Sequence, residues 1–385
     1  MDEPPGGLWT NRRRYVSLVP TPLTADTVRR APKVLLHDHL DGGLRPETVL
    51  ELADEVGYRD LPADEPEALG RWFREAADSG SLVRYLETFR HTVGVMQTPG
   101  AVARVARECA LDLAADGVVL AEVRMAPELL TAGGMPIEAA VEAILDGFAT
   151  GTRDAAAVGT PLTVGALLCA MRQADRWDEV ADLVVRYRDA GVVGFDLAGP
   201  EDGFPPDRLP SAIALLDRAG MHRTVHAGEA AGIESIRAAL DGAHAERLGH
   251  GVRIADEVAG DGALGPVAQR VLDEQVTLEV APSSNVQTGA CPSLAAHPVD
   301  RLHRLGFAVT LNTDNRLMSG VSVTSEIADV AATFGWTWDD VLTLTERALD
   351  AAFVDDAERA RLRTEVIRPA YAALRTPAAP SSGQA

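Results

Sequence analysis

Short apolar runs separated by longer segments with a helical repeat organise this chain. The runs are Val34 to His39, Val118 to Met125, Leu162 to Ala170, Val192 to Leu197, Arg223 to His226, Arg247 to His250, Val276 to Ala281 and Phe307 to Asn312. Each has the length of a buried strand. Between them apolar residues recur every three or four positions, as at Ile137, Ala140, Val141, Ile144, Leu145 and Phe148, or at Val180, Leu183, Val184 and Tyr187. That spacing predicts amphipathic helices. Repeated strand-then-helix order implies parallel strands, and eight such units close most naturally into an α/β TIM (β/α)8 barrel. The first crossover is longer than the others. From Pro46 to Gly117 it carries several helical patterns, including Pro46 to Val56 and Leu82 to Met96, so extra helices inserted after strand one are expected over the barrel mouth. The expected division is an N-terminal arm over 1–31, a barrel domain over 32–375 and a disordered Pro/Ala/Ser-rich tail over 376–385.

Composition changes the picture chiefly for partners. Among 385 residues, 36 basic against 57 acidic side chains give a net charge of −21. Such a surface repels phosphate backbones and anionic membranes, so nucleic acid and membrane are excluded as partners and a small neutral or cationic molecule is favoured. Cys109, Cys169 and Cys291 are too few and too far apart for a disulfide framework or a cysteine zinc site, which suits a reducing cytoplasm. The run Arg12, Arg13, Arg14 precedes Pro20, Pro22 and Asp26 where an export signal needs an apolar stretch, and it reads as a solvated arm. Oligomeric state is left open.

Candidate chemistry sits at the ends of the predicted strands. His37 and His39 end the first, His226 ends the fifth with Glu229 just beyond, His250 ends the sixth and Asp314 follows the eighth. Barrels build their sites at that rim. His37 and His39 are two apart and share one strand face, with Asp41 next in the series, while Gly228 supplies a turn that aims Glu229 at the mouth. Imidazoles plus a carboxylate suit zinc, and a further Glu and His suit the movement of protons around an activated water. The blander readings are satisfied core histidines at His226 and His250 and helix caps at Asp314 and Asn315. Asp38 is expected to point away from the interior and pair with an arginine. The other histidines, His91, His222, His244, His297 and His303, read as structural or surface residues.

In combination and order, these stretches resemble the adenosine deaminase family: Pro32 to Gly42 (PKVLLHDHLDG), Phe195 to Gly199 (FDLAG), Val225 to Glu229 (VHAGE), Arg247 to Gly251 (RLGHG), Pro282 to Asn285 (PSSN) and Leu311 to Asp314 (LNTD). The resemblance runs from about Lys33 to Tyr371, and Asp314 to Met318 (DNRLM) is similar to the actinobacterial branch. It implies a hydrolase acting on the C–N bond of a cyclic amidine, with adenosine or 2′-deoxyadenosine giving inosine or deoxyinosine plus ammonia in purine salvage. It further implies one zinc per chain on His37, His39, His226 and Asp314, with a zinc-activated water attacking purine C6. Glu229 would protonate N1, and His250 and Asp314 would orient and deprotonate the water. His39, Asp41, Gly199 and Asn315 would face the substrate, with Asp41 on the ribose 5′-hydroxyl and Gly199 N–H on N3. Binuclear relatives bridge their metals with a carboxylated lysine at strand four, and the only lysine here is Lys33 at the base of strand one, which excludes that arrangement.

Two positions depart from the family pattern. Asn315 stands where a second Asp is common, and a carboxamide can donate to purine N7 without a proton of its own to lose. Gln173 stands where His is frequent, with a structural hydrogen bond as the expected use. Alternative substrates are free adenine and aminodeoxyfutalosine, whose extra carboxylate would need an arginine such as Arg172 or Arg316 near the mouth. A noncatalytic adenosine-binding relative and a mononuclear amidohydrolase of a cyclic amide or ester are the readings from other classes.

Overall fold

The computed structural model describes residues 21–375, so the run Arg12 to Arg14 and the expected tail over 376–385 lie outside the described residues. Eight parallel strands follow in chain order: β1 (Lys33–His39), β2 (Val118–Met125), β3 (Thr163–Met171), β4 (Val192–Ala198), β5 (His222–Ala227), β6 (Arg247–His250), β7 (Thr277–Val280) and β8 (Val309–Leu311). Each matches an expected run to within one or two residues. The ring closes where β1 meets the chain leaving β8. His39 N–H donates to Asp314 O at 2.7 Å and Asp314 N–H to His37 O at 3.0 Å, while Asn312 Oδ1 accepts from the N–H groups of Leu36 and His37 at 3.0 and 3.1 Å. The barrel is a TIM (β/α)8 barrel, and its seam passes through three residues expected to bind metal.

The interior departs from the branched apolar filling usual for this fold. Glu122, Arg124, Asp196, Arg247 and Glu279 are all buried there and pair with one another. Arg124 reaches Asp196 at 3.1 Å and Glu279 at 2.7 Å; Arg247 reaches Glu279 at 2.7 Å and Glu122 at 2.6 Å. Unpaired charges at such depth would cost several kcal/mol each, on the order of the desolvation penalty of a single ion, so the network stands or falls together. Three carboxylates against two guanidiniums leave one negative charge uncompensated.

After β1 come the inserted helices Pro46–Val56, Pro66–Ala77, Leu82–Glu87 and Phe89–Val95, before the crossover helix Pro99–Ala115 leads into β2. The single helix expected over Leu82 to Met96 is two, meeting at Thr88. At Thr88 the backbone N–H closes a tighter three-residue turn onto Tyr85 O at 3.2 Å in place of the four-residue bond of a continuous helix, and the Thr88 hydroxyl donates to the same carbonyl at 2.7 Å. Part of the expected N-terminal arm is also ordered: Ala25–Arg30 is a capped helix with Val28 buried, and Lys33 Nζ donates to the carbonyls of Val28, Arg29 and Ala31 at 2.7, 3.1 and 2.8 Å. That ammonium lies at the N-terminal end of β1, at the far end of the strand from His37 and His39.

Candidate active site

Alternation along β1 sends His37 and His39 inward and Asp38 outward. Asp38 accepts from Thr313 Oγ1 at 2.7 Å and Arg316 Nε at 3.0 Å, the arginine pairing expected for it. Inside, one donor atom from each of His37, His39, His226 and Asp314 falls within 4.8 Å of all the others. His37 Nε2 and Asp314 Oδ1 are 3.1 Å apart, His39 Nε2 and Asp314 Oδ1 3.3 Å, and His39 Nε2 and His226 Nε2 3.2 Å.

The far nitrogens of two of these rings are held by carboxylates. Glu279 Oε2 lies 3.1 Å from His37 Nδ1, and Asp196 Oδ2 lies 3.1 Å from His226 Nδ1. A proton on each Nδ1 leaves each Nε2 lone pair facing the cluster, which is how metal-binding histidines are usually oriented. Arg124 joins the two carboxylates. Burial alone would push the Asp196 carboxyl up, but His226 and Arg124 outweigh it and hold it well below its ordinary range. The donor set fits a divalent cation on two counts: converging nitrogen lone pairs with no other positive group between them, and two net negative charges once Asp314 is added to the surplus of the interior network.

Asp314 and His250 both take left-handed backbone angles, φ 54° and 62°, which L side chains seldom adopt. The strain turns both side chains into the mouth. Asp314 does not cap the following helix: its Oδ2 accepts from Ser284 Oγ at 2.6 Å. Asn315 occupies the cap position of Arg316–Ser319 yet makes no capping bond, and its Oδ1 is buried without a partner. Its amide rests against Gly42, where an added Cβ would fall 1.9 Å from Asn315 Oδ1.

Beside the metal donors lies a cavity of about 280 Å³. His39, Asp41, Gly199, Glu229, His250, Asp314 and Asn315 line it, so every expected substrate-facing and proton-moving residue is brought to one space. Its roof is apolar, from Leu82, Leu86, Phe89 and Val93 on the inserted helices and Leu129 after β2. Gly199 has φ 103° and abuts Gln173, whose Oε1 would lie 2.5 Å from a Cβ there. Arg172 is buried and donates to Phe204 O at 2.7 Å and to His226 O, while Arg316 is committed to Asp38, so neither presents a guanidinium at the mouth as an acidic substrate would need. The arginine that does line the cavity is Arg90.

Glu229 Oε2 stands 3.6 Å from His250 Nε2, and its Oε1 accepts from Thr288 Oγ1 at 2.8 Å. Burial and then the nearby Asp314 charge push its carboxyl up to about 8. The same two causes, burial first, raise Asp41 to about 7, and Asp41 Oδ1 has no hydrogen-bond partner. Glu201 positions the loop that carries Glu229. It accepts from the N–H groups of Gly228, Glu229, Ala230 and Ala231 at 2.5, 3.0, 2.8 and 2.8 Å, and from Ser235 Oγ at 2.5 Å.

Sequence reasoning assigned no role to Glu201, Glu279, Arg124, Thr288 or Asn285. A usable signal existed for two of them: charges inside otherwise apolar strands, as at Arg124 and Glu279, demand a buried partner. For Glu201, Thr288 and Asn285, all on loops or a short turn of helix, no spacing rule applies.

Such a barrel, with imidazoles and a carboxylate gathered at the strand ends and carboxylates behind them, defines a metallohydrolase. The chain belongs to the adenosine deaminase family, whose model matches residues 32–369. It is 54% identical over 358 residues to an adenosine deaminase of Mycolicibacterium vanbaalenii, covering 92% of this chain and 99% of that one. It is also 54% identical over 365 residues to adenosine deaminase 1 of Streptomyces coelicolor, covering 94% and 91%. Among solved structures, an adenine deaminase from Arthrobacter aurescens superposes with a TM-score of 0.78 at 28% identity, over 89% of this chain and 98% of that one. An amidohydrolase from Burkholderia ambifaria, solved with bound Zn, superposes with a TM-score of 0.77 at 25% identity, over 94% and 96%. Among the described residues no helix is long and apolar enough to cross a membrane.

Proposed function

We propose that this protein is a zinc-dependent adenosine deaminase, converting adenosine and 2′-deoxyadenosine to inosine and deoxyinosine with release of ammonia. The observation that carries the reading is Glu229: a buried carboxyl, raised to about 8, set beside His250 and the metal donor cluster in a cavity sized for a small molecule. The amino group at C6 of a purine is a poor leaving group and the ring a poor electrophile, so the reaction needs a proton donor on the ring and a strong nucleophile at neutral pH. Glu229 supplies the proton to N1. His37, His39, His226 and Asp314 would hold the zinc, which supplies Lewis-acid activation of water to a pKa near 7. His250 orients the attacking water, Asp314 takes one of its protons and passes it to the C6 amino group, the C6–N bond breaks and ammonia leaves, and the oxygen now on C6 gives its remaining proton back to Glu229 as it becomes a carbonyl.

On the substrate side, Asp41 with its free Oδ1 suits the 5′-hydroxyl of ribose, Gly199 offers its N–H to N3, Asn315 its amide to N7, and His39 borders the ring. The apolar roof covers the base and excludes water. Zinc is preferred over harder ions because three of the four donors are imidazole. Three free, buried thiols suit a reducing cytoplasm. The reading is tested by offering zinc-loaded protein adenosine, deoxyadenosine, adenine, AMP and aminodeoxyfutalosine, following ultraviolet absorbance and ammonia. Turnover should be fastest with the first two. Absence of change with every compound ends it, and preference for aminodeoxyfutalosine would move the assignment to an acidic substrate gripped by Arg90.

A further inference from the structure

His250 faces the reacting centre, and what it can do there depends on which ring nitrogen carries the proton. A chain of hydrogen bonds running away from the cavity answers that. Val299 N–H, a backbone donor whose direction is not negotiable, points at His297 Nδ1 at 3.1 Å. The proton of neutral His297 is therefore on Nε2, which lies 3.2 Å from Asn285 Oδ1 and donates to it. With its oxygen so engaged, the Asn285 amide turns Nδ2–H toward His250 Nδ1, 3.1 Å away. His250 Nδ1 must then accept, which places the ring proton on Nε2, the nitrogen 3.6 Å from Glu229. Every member is buried: His297 is 3% exposed, Asn285 0% and His250 2%, so no water competes for these groups. Reversing the amide would set two donors, its own N–H₂ and His297 Nε2–H, against each other, so the His297 end alone fixes its direction. Burial also holds His297 neutral, bringing its imidazole down to about 3.

We infer that His297, acting through Asn285, is a positioning residue that fixes His250 as a hydrogen-bond donor through Nε2–H, so that His250 orients the attacking oxygen and does not take its proton. The inference deepens the deaminase reading and rests on it for the identity of that oxygen, while the tautomer itself is independent of substrate. Sequence reading placed His297 among structural or surface histidines, and its place here comes from the packing of the segment before the helix Val299–Arg304 against the short helix Pro282–Gln287 that follows β7.

The decisive measurement is the ¹⁵N imidazole spectrum of histidine-labelled, zinc-loaded protein, with the His250 signals identified by their loss in His250→Asn. The expected result is a protonated Nε2 and an unprotonated Nδ1; a protonated Nδ1 would overturn the proposal whether or not adenosine is the substrate. Two variants read the same chain through kinetics. Gln can present an N–H₂ near the place of Nε2, so His297→Gln should keep kcat within about threefold. His297→Leu, which frees the amide to reverse, should lower kcat by about tenfold or more with KM and zinc content little changed, the scale seen when an outer hydrogen-bond partner is removed. Equal kcat in the two variants would refute the role of His297, even with turnover of adenosine intact.

Discussion

The two halves of the cavity treat their carboxylates in opposite ways. On the metal half, Asp196, Glu279 and Asp314 are buried yet held well below the ordinary range, because each sits against imidazoles or guanidiniums that outweigh the cost of burial. On the substrate half, Asp41 and Glu229 are equally buried but face no cation; burial wins, and their carboxyls rise to about 7 and about 8. Burial is common to both halves, and only the partner differs. One barrel rim thus carries carboxylates held ionised and carboxyls raised toward neutrality side by side.

The contrast can be broken most severely at Glu229. Glu229→Gln keeps shape and burial but removes the transferable proton, and deaminase kcat should fall by about 10²–10⁴-fold, the usual worth of a positioned general acid, with zinc content unchanged by elemental analysis. A variant with near-normal turnover would remove Glu229 from the chemistry. The metal half should respond in the opposite sense. Asp196→Asn or Glu279→Gln leaves a proton donor of uncertain direction behind an imidazole, and zinc affinity measured by competition with a chelator should weaken by about 10–100-fold.

A milder change separates positioning from chemistry. Glu201→Gln replaces one acceptor oxygen with an amide facing backbone N–H groups, so the Glu229 loop should loosen; kcat should drop by about tenfold while zinc affinity stays at the level of the unaltered protein, a split opposite to that of Asp196→Asn. The smallest effect is on stability. With Glu229 raised from 4.5 to about 8, the fold binds more protons than the unfolded chain between those values, so stability contributed at this site falls as pH rises through that window. Glu229→Gln cannot ionise. Its melting temperature relative to the unaltered protein should therefore climb between about pH 5 and pH 8 and level off above, and a flat difference would show that Glu229 is not raised.

Much of this was legible along the chain because it depends on local period. All eight strands follow from apolar runs of strand length, and the inward pairing of His37 with His39 and the outward turn of Asp38 follow from a two-residue repeat. The family motifs brought Glu229, His250, Asp314, Asp41, Gly199 and Asn315 into view, and the fold gathers all of them around one cavity. The single helix expected over Leu82 to Met96 went wrong at Thr88, whose N–H closes onto Tyr85 O three residues back where a continuous helix bonds four back, a tightening that periodicity does not register. The suggestion that Arg172 or Arg316 serves the mouth failed because both guanidiniums are consumed by acceptors remote in sequence, Arg172 by the carbonyls of Phe204 and His226 and Arg316 by buried Asp38.

By itself the sequence determined which residues alternate inward on each strand, and with the family motifs it marked the side chains that can bind a cation or carry a proton. It could not determine their charge states or the direction of their hydrogen bonds. Those depend on neighbours such as Arg124 beside Glu279, 155 positions apart, and His297 behind Asn285 and His250. Electrostatic energy and hydrogen-bond polarity are set by distances of a few ångströms and by the exclusion of water, and only the closed barrel supplies both.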